Sequence, residues 1–254
     1  HPAVRKVLID FMEGDFSSLM QMETPLLCGL LAAELKKRAA YALEKVYFCS
    51  TGAEGVETGI KFARRATGRS RIIYAGSAFH GLTSGALALN GSAVFREKFG
   101  ALIDTEKVPF GDLAALEEEL RRGDVAAFFV EPIQGKGVNI PPAGYLAAAS
   151  RMCHAHGALF VADEVQTGVG RSGRFLALHH EEGVAPDMIV LSKALSGGFV
   201  PVGAVLMTQR IHDAVFSSLD MAVVHSSTFG KSNFAMAAGL ATLDVLDEEG
   251  LIKN

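Results

Sequence analysis

Short runs of apolar, β-branched residues recur along this chain, each closed by small or polar residues and followed by a longer helical pattern. A parallel sheet wrapped by helices demands that alternation. A strand buried on both faces is apolar throughout, and reaching its parallel neighbour takes a crossover. The predicted strands are 45–49 (KVYFC), 71–75 (RIIYA), 105–110 (TEKVPF), 125–131 (VAAFFVE), 158–163 (ALFVAD), 188–192 (MIVLS) and 203–207 (GAVLM). Helical patterns lie between most of them. One covers 25–43 with Leu27, Leu30, Leu31 and Leu35 on a single face. Another starts at Asp112 as cap and stops at Gly123, and a third spans 142–157 and ends at Gly157. From Ser192 to Gly203 there is hardly room for a crossover helix, so strand 203–207 is expected to run antiparallel to a neighbour. The expectation is one α/β domain over 1–254: a mainly parallel seven-stranded sheet with one antiparallel strand and helices on both faces.

The 254 residues suffice for one large domain, and the 49% hydrophobic content is spread along the whole chain. Net charge is −4 without long runs of one sign, which argues against a nucleic acid or a membrane surface as partner. The longest apolar stretches, such as 125–130, are too short to cross a bilayer. The opening residues HPAVRKVLID do not resemble a signal peptide, and the missing initiator Met hints at processing or a fragment. Cys28, Cys49 and Cys153 form no paired spacing, so a reducing, cytoplasmic setting is expected. His154 and His156, two apart on a helix, point to different faces, and no metal site is expected there.

Ligands of open parallel sheets collect beyond the carboxyl ends of the strands. Here those ends are followed by STGAEG, GSAFHG, EPIQG, DEVQTG and KALSGG. A phosphate cradle, an aromatic with a His, a Glu, an Asp and a Lys would share one edge. Ser50 or Thr51 can cap the next helix, and Thr51-x-x-Glu54 has the capping-box spacing. Free amides at Gly52 and Ala53 would then face the strand edge, where a phosphate binds well. Taken alone, that segment reads first as an ordinary cap. Asp163 and Lys193 stand thirty residues apart, one strand–helix–strand unit, at the ends of nearby strands. Taken singly, the Asp reads as a cap or half of an ion pair, and the Lys as a solvated side chain. Together they meet the needs of pyridoxal 5′-phosphate: an amine for its aldehyde and a carboxylate for its ring nitrogen.

The segments STGAEGVETGIKFAR, AFHGLTSGALALNG, VEPIQG, VADEVQTGVGRSGRF, LSKALSGGFVPVGA and HSSTFG resemble, in order and with similar gaps, the motifs of the class III (ω-amino) pyridoxal-phosphate aminotransferases. The resemblance implies the large domain of a fold-type I transferase and a role for each matching residue. Lys193 would form the Schiff base, and Asp163 would hold the ring nitrogen protonated. Val165 would pack on one ring face, Phe79 would stack on the other, and Gln166 would reach the ring hydroxyl. Thr51, Gly52 and Ala53 would bind the phosphate, joined by Thr228 from a neighbouring subunit, which implies a homodimer with a shared site. Glu131 would sit near the substrate, where relatives pair it with a movable arginine. His80 would be either a structural histidine or a direct cofactor contact. The substrates implied are an amine donor and a keto-acid acceptor, in ping-pong order. Relatives are longer at both ends, so the chain is expected to begin just before the first helix of the large domain and to lack most of the small domain.

Competing readings remain at this level. An aminomutase could share the fold, and a piece without the flanking segments could bind cofactor yet lack activity. GVGRSG at 168–173 matches a dinucleotide fingerprint, but DEVQT intervenes after the strand and little room follows for a phosphate-binding helix. Lys136, Val138 and Gly55 depart from the family's usual residues, as does GKSNFAM, and these bear on substrate fit. Arg171 and Arg174 read first as structural or phosphate-edge arginines rather than carboxylate binders.

Overall fold

The computed structural model describes residues 1–20 and 25–253. Its strands are β1 (Lys45–Cys49), β2 (Arg71–Ala75), β3 (Thr105–Val108), β4 (Val125–Val130), β5 (Leu159–Asp163), β6 (Met188–Leu191) and β7 (Gly203–Met207). They form one sheet in the order β1-β7-β6-β5-β4-β2-β3. Six strands run in the same direction; β7 is antiparallel to both its neighbours, β6 and β1. The short link from Ser192 therefore does what its length allows, turning back without a crossover. The α-helices are α1 (Pro2–Glu13), α2 (Leu26–Ala39), α3 (Gly52–Thr67), α4 (Ser84–Ala88), α5 (Ala93–Arg96), α6 (Leu113–Leu120), α7 (Tyr145–Ala155), α8 (Gln209–Val215) and α9 (Asn233–Glu248).

Both sheet faces are covered, and side-chain alternation sorts the core into two layers. Phe128, Val130, Phe160, Ala162, Ile189 and Leu191 pack with α2, α6, α7 and α9. Ala127, Phe129, Leu159, Val161, Met188 and Val190 face α3, α4 and α8. Phe128, Phe129 and Phe160 are wholly buried, and truncating such a ring to Ala costs about 3–5 kcal/mol. Two of the helix ends are as read from the sequence. Asp112 accepts from the Ala115 amide at 3.0 Å, and α7 is closed by Gly157 at φ +69°. No helix among the described residues is long and apolar enough to cross a membrane.

Several boundaries differ for local reasons. β3 ends at Val108 because Pro109 has no amide to offer the ladder. β4 ends at Val130, where the Glu131 carboxylate starts to accept bonds from loop amides. In α2, Leu31 and Leu35 are fully buried and Leu27 is partly so, whereas Leu30 is 46% exposed. The buried stripe runs at i, i+4, i+8, and Leu30 lies one helical step to its side. Helix α1, not expected from the sequence, buries Val4 and Leu8 and packs on α9. His154 has an acidic partner invisible in the local sequence. Its Nε2 lies 2.8 Å from Asp187 Oδ2, because the α7–β5–β6 connection brings the helix end beside the start of β6. No group of three or more His, Cys, Asp or Glu suited to a metal occurs among the described residues.

Gly203, paired with Cys49 at the end of β1, has no room for a side chain. An added Cβ would lie 2.7 Å from Cys49 Sγ and 2.8 Å from the Thr51 carbonyl oxygen. Gly203→Ala is therefore expected to lower stability by about 1–3 kcal/mol, read as a shift in the urea midpoint at unchanged slope.

Candidate functional site

The carboxyl ends of β1, β2, β4, β5 and β6 open onto one cavity of about 810 Å³. Thr51, Gly52, Ala53, Phe79, His80, Glu131, Asp163, Val165, Gln166 and Lys193 all line it. Thr228 does not; it is exposed and borders two adjoining cavities on the far side of Ser50. Ten of the expected residues thus share one space and the eleventh lies outside it.

Strand register explains the acids. Ala162 pairs with Val130, so Asp163 and Glu131 follow one step later, and alternation sends both towards the α3 side of the sheet. Asp163 is 3% exposed. Its Oδ1 accepts from the Val165 amide at 3.0 Å and its Oδ2 lies 2.7 Å from His80 Nδ1. His80 is buried as well, and its Nε2 has no partner among the described residues. Burial alone would lower the His80 pKa, but the hydrogen bond and charge of Asp163 outweigh it, and the charge of Glu131 acts in the same sense. The imidazole is raised above its ordinary value. Burial raises the Glu131 carboxyl; its Oε2 accepts from the Phe79 amide at 3.0 Å and its Oε1 from the Gly135 amide at 2.9 Å. Glu131 therefore ties the loop after β2 to the loop after β4.

Lys193 stands on a strained turn. Its φ is +42°, unusual for a residue with a side chain. The turn is held by Ser192 Oγ donating to the Val202 carbonyl at 2.7 Å, and its terminus by Gly197 at φ +62°. The Lys193 ammonium donates to Gln166 Oε1 and remains open to solvent. Gln166, Val165 and Asp163 descend together from β5.

At the start of α3, Thr51 Oγ1 accepts from the Glu54 amide at 3.1 Å, and Glu54 Oε2 accepts from the Ser50 amide at 2.7 Å. The capping box thus closes one residue early, on Ser50 rather than Thr51. The amides of Gly52 and Ala53 are left without an acceptor among the described residues, at the positive end of a 16-residue helix. Gly52 also lets Val165 approach: an added Cβ would fall 2.8 Å from Val165 Cγ1. A phosphate fits the free amides, an aromatic ring fits between apolar walls, and a ring cation fits the buried carboxylate.

Other wall residues were not singled out in the sequence, except Lys136, which stood out there only as a departure from the family's usual residue. Phe95 meets Phe79 edge-on with centroids 5.7 Å apart, and the Lys136 ammonium lies 4.7 Å from the Phe95 ring centroid. Phe199 to Val202 close a further side. The GGF that follows Lys193 was the available signal for that wall. Glu164, the second acid after β5, turns away from the cavity. It accepts from Thr167 Oγ1 and from the amides of Ala177 and Leu178 at 3.0 and 2.8 Å, pinning the 164–178 loop. GVGRSG lies on that loop, and only the short 3₁₀ turn Ala177–His180 follows, so no helix N-terminus is presented to a dinucleotide. Arg171 borders a neighbouring cavity with Gln166 and Lys193; neither it nor Arg174 lines the main one.

The model of the Aminotransferase class-III family matches residues 1–254. The acetylornithine aminotransferase of Methanopyrus kandleri is 42% identical over 255 residues, covering 99% of this chain and 63% of that protein. The aminotransferase PigE of a Serratia strain is 37% identical over 251 residues, 98% of this chain and 29% of its own length. The ornithine aminotransferase of Toxoplasma gondii, whose structure has partial occupancy of PLP at its active site, superposes with a TM-score of 0.91 at 33% identity. That match covers 100% of this chain and 60% of that one. The chain therefore spans less than two thirds of the length of these relatives.

His80 binds its proton more tightly in the fold than when unfolded. Its contribution to stability is complete below about pH 6.5 and is lost as pH rises through the higher folded value. The stability difference between the cofactor-free protein and its His80→Asn variant should narrow as pH is raised above about 6.5, measured by urea unfolding. A difference flat in pH would show that the fold leaves the His80 proton affinity unchanged, and one that widens as pH rises would show that it keeps the ring neutral.

Proposed function

We propose, from the premise that this chain belongs to the class III aminotransferase family, that the protein moves an amino group from an amine or ω-amino acid to a keto acid, with Lys193 as its reacting amine. The cofactor that membership implies is pyridoxal 5′-phosphate. One observation carries the reading. Lys193, the buried Asp163 and the free amides of Gly52 and Ala53 line a single cavity, an amine, a carboxylate and an anion cradle within one space. When bound, the cofactor supplies an aldehyde that condenses with amines and a ring that withdraws electrons from the attached carbon.

The chain's own residues would divide the remaining work. Thr51, Gly52 and Ala53 hold the phosphate with α3's first-turn amides. Asp163 keeps the ring nitrogen protonated, and its orientation is set by His80 and the Val165 amide. In so buried a position the attraction between opposite charges is much stronger than in water, and an unpaired carboxylate there would instead take up a proton. Val165 and Phe79 would pack on the ring, and Gln166, whose Oε1 accepts from Lys193, would donate from its Nε2 to the ring oxygen. The Lys193 amine, once free, would serve as base and then acid for the proton of the substrate carbon. Its solvent-facing turn lets the donor reach it. Glu131, fixed by two amides, sits beside the substrate. Thr228, outside this cavity, would reach the phosphate of a second subunit in a homodimer. Two half-reactions sharing one cofactor give ping-pong kinetics.

Lys193→Ala is expected to lower turnover at least about a thousandfold and to abolish borohydride fixation of the cofactor, read by peptide mass spectrometry. Fixation at another lysine would sink the assignment. Asp163→Asn, which keeps the size but removes the charge, should cost about a hundredfold or more in kcat; a near-normal rate would make Asp163 merely structural. Equimolar consumption of a keto acid such as pyruvate or 2-oxoglutarate is expected with the amine, whereas turnover without any acceptor would point to an aminomutase.

A further inference from the structure

The segment after α8 lies along α3, and the bonds between them follow the helix period. Lys61 donates to the Val224 carbonyl at 3.2 Å and reaches His225 Nδ1 at 2.9 Å. Thr58 Oγ1 lies 2.8 Å from His225 Nε2 and itself donates to the Glu54 carbonyl at 2.8 Å. Ser227 Oγ donates to Glu54 Oε2 at 3.3 Å and lies 3.5 Å from Ser50 Oγ. Residues 54, 58 and 61 share one helix face, so three successive rungs fasten residues 224–227 to it. The partners define the state of the ring. Lys61 can only donate, so Nδ1 accepts, and Nε2 carries the hydrogen given to Thr58. The ring is also wedged between Tyr47 and Phe62, with centroids 4.9 and 5.1 Å away. Burial and the Lys61 charge push its pKa down to about 4, consistent with a neutral ring.

The last rung ends at the proposed phosphate cradle. Glu54 Oε2 receives both Ser227 and the Ser50 amide, and Ser50 lines both the main cavity and the smaller one bounded by His225. We propose that His225 is a positioning residue for phosphate: clamped by Thr58 and Lys61, it holds Ser227 on the Glu54 carboxylate and so fixes the Ser50–Ala53 turn whose amides receive the anion. The inference rests on the phosphate role given above to Thr51, Gly52 and Ala53. It adds that residues remote in sequence, none of which touches the anion, set how well that turn grips it. Thr228 follows directly, so the same clamp fixes where that hydroxyl is presented.

The test compares two aldehydes that differ only in the phosphate. Cofactor-free protein is titrated with pyridoxal 5′-phosphate and with pyridoxal, following the absorbance of the bound form. His225→Phe keeps the ring between Tyr47 and Phe62 but removes both nitrogens; Thr58→Val keeps the shape but removes the hydroxyl. Each is expected to weaken pyridoxal 5′-phosphate about tenfold while leaving pyridoxal affinity within about twofold, and His225→Gln, with a donor and an acceptor, should restore part of the loss. Equal weakening of both aldehydes, or of neither, overturns the proposal. Should both buried variants fail to fold, Lys61→Met at the exposed rung is read the same way, with an expected loss of about threefold confined to the phosphorylated form. If the unmodified protein binds neither aldehyde, it is the cofactor assignment that fails, not the clamp.

Discussion

A carboxylate delivered to the end of a buried strand needs a partner, and the pairing of Asp163 with His80 satisfies that need. The rest of the site is arranged around it. The Val165 amide takes the second oxygen, which turns the chain so that Val165 and Gln166 line the cavity. His80 is held by the loop after β2, and that loop is tied through the Phe79 amide to Glu131 at the end of β4. Two buried acids and one buried imidazole thus connect three adjacent strands at the edge where they open. Against the opposing effect of burial, the Asp163 hydrogen bond and the charges of both acids raise the imidazole above its ordinary value.

The second constraint is the short link between β6 and β7. Without room for a crossover helix, the chain makes a tight turn, and the first residue of that turn is Lys193 in a left-handed conformation. Backbone strain persists where the neighbours are over-determined, and here Ser192, Gly197 and the antiparallel β7 fix both sides of Lys193. The same reversal brings Val200 to Val202 back as a wall of the cavity and places β7 between β6 and β1. In this way the antiparallel strand also sets how far the α3 cradle stands from the amine.

Much of this was legible in the sequence. All seven strands were, because a strand buried on both faces is a continuous apolar run; their ends moved where Pro109 and the Glu131 carboxylate interrupted the ladder, and by one residue at Ala158 and Ser192. The residues at strand ends were legible too, since in a parallel sheet those ends share one edge whatever the order of the strands. The stripe on α2 was misjudged by one residue, for apolar periodicity gives a face about a hundred degrees wide and does not say which margin the sheet covers. The early closing of the capping box on Ser50 was equally hidden, because Glu54 is steered there by Ser227, 173 residues away in the chain.

What the sequence determined by itself was the sheet, the single reversal in it, and the delivery of Asp163, Glu131 and Lys193 to one edge. Each follows from local patterning and from connection length. The tertiary structure alone decided which groups meet there: His80 with Asp163, Glu131 with the Phe79 and Gly135 amides, Phe95 beside Phe79, and His225 against Thr58 and Lys61. Apart from Gly135, four residues from Glu131, those partners come from loops and helix faces separated in the chain. Packing selects them through shape and unsatisfied hydrogen bonds, and neither leaves a periodic trace in a linear sequence.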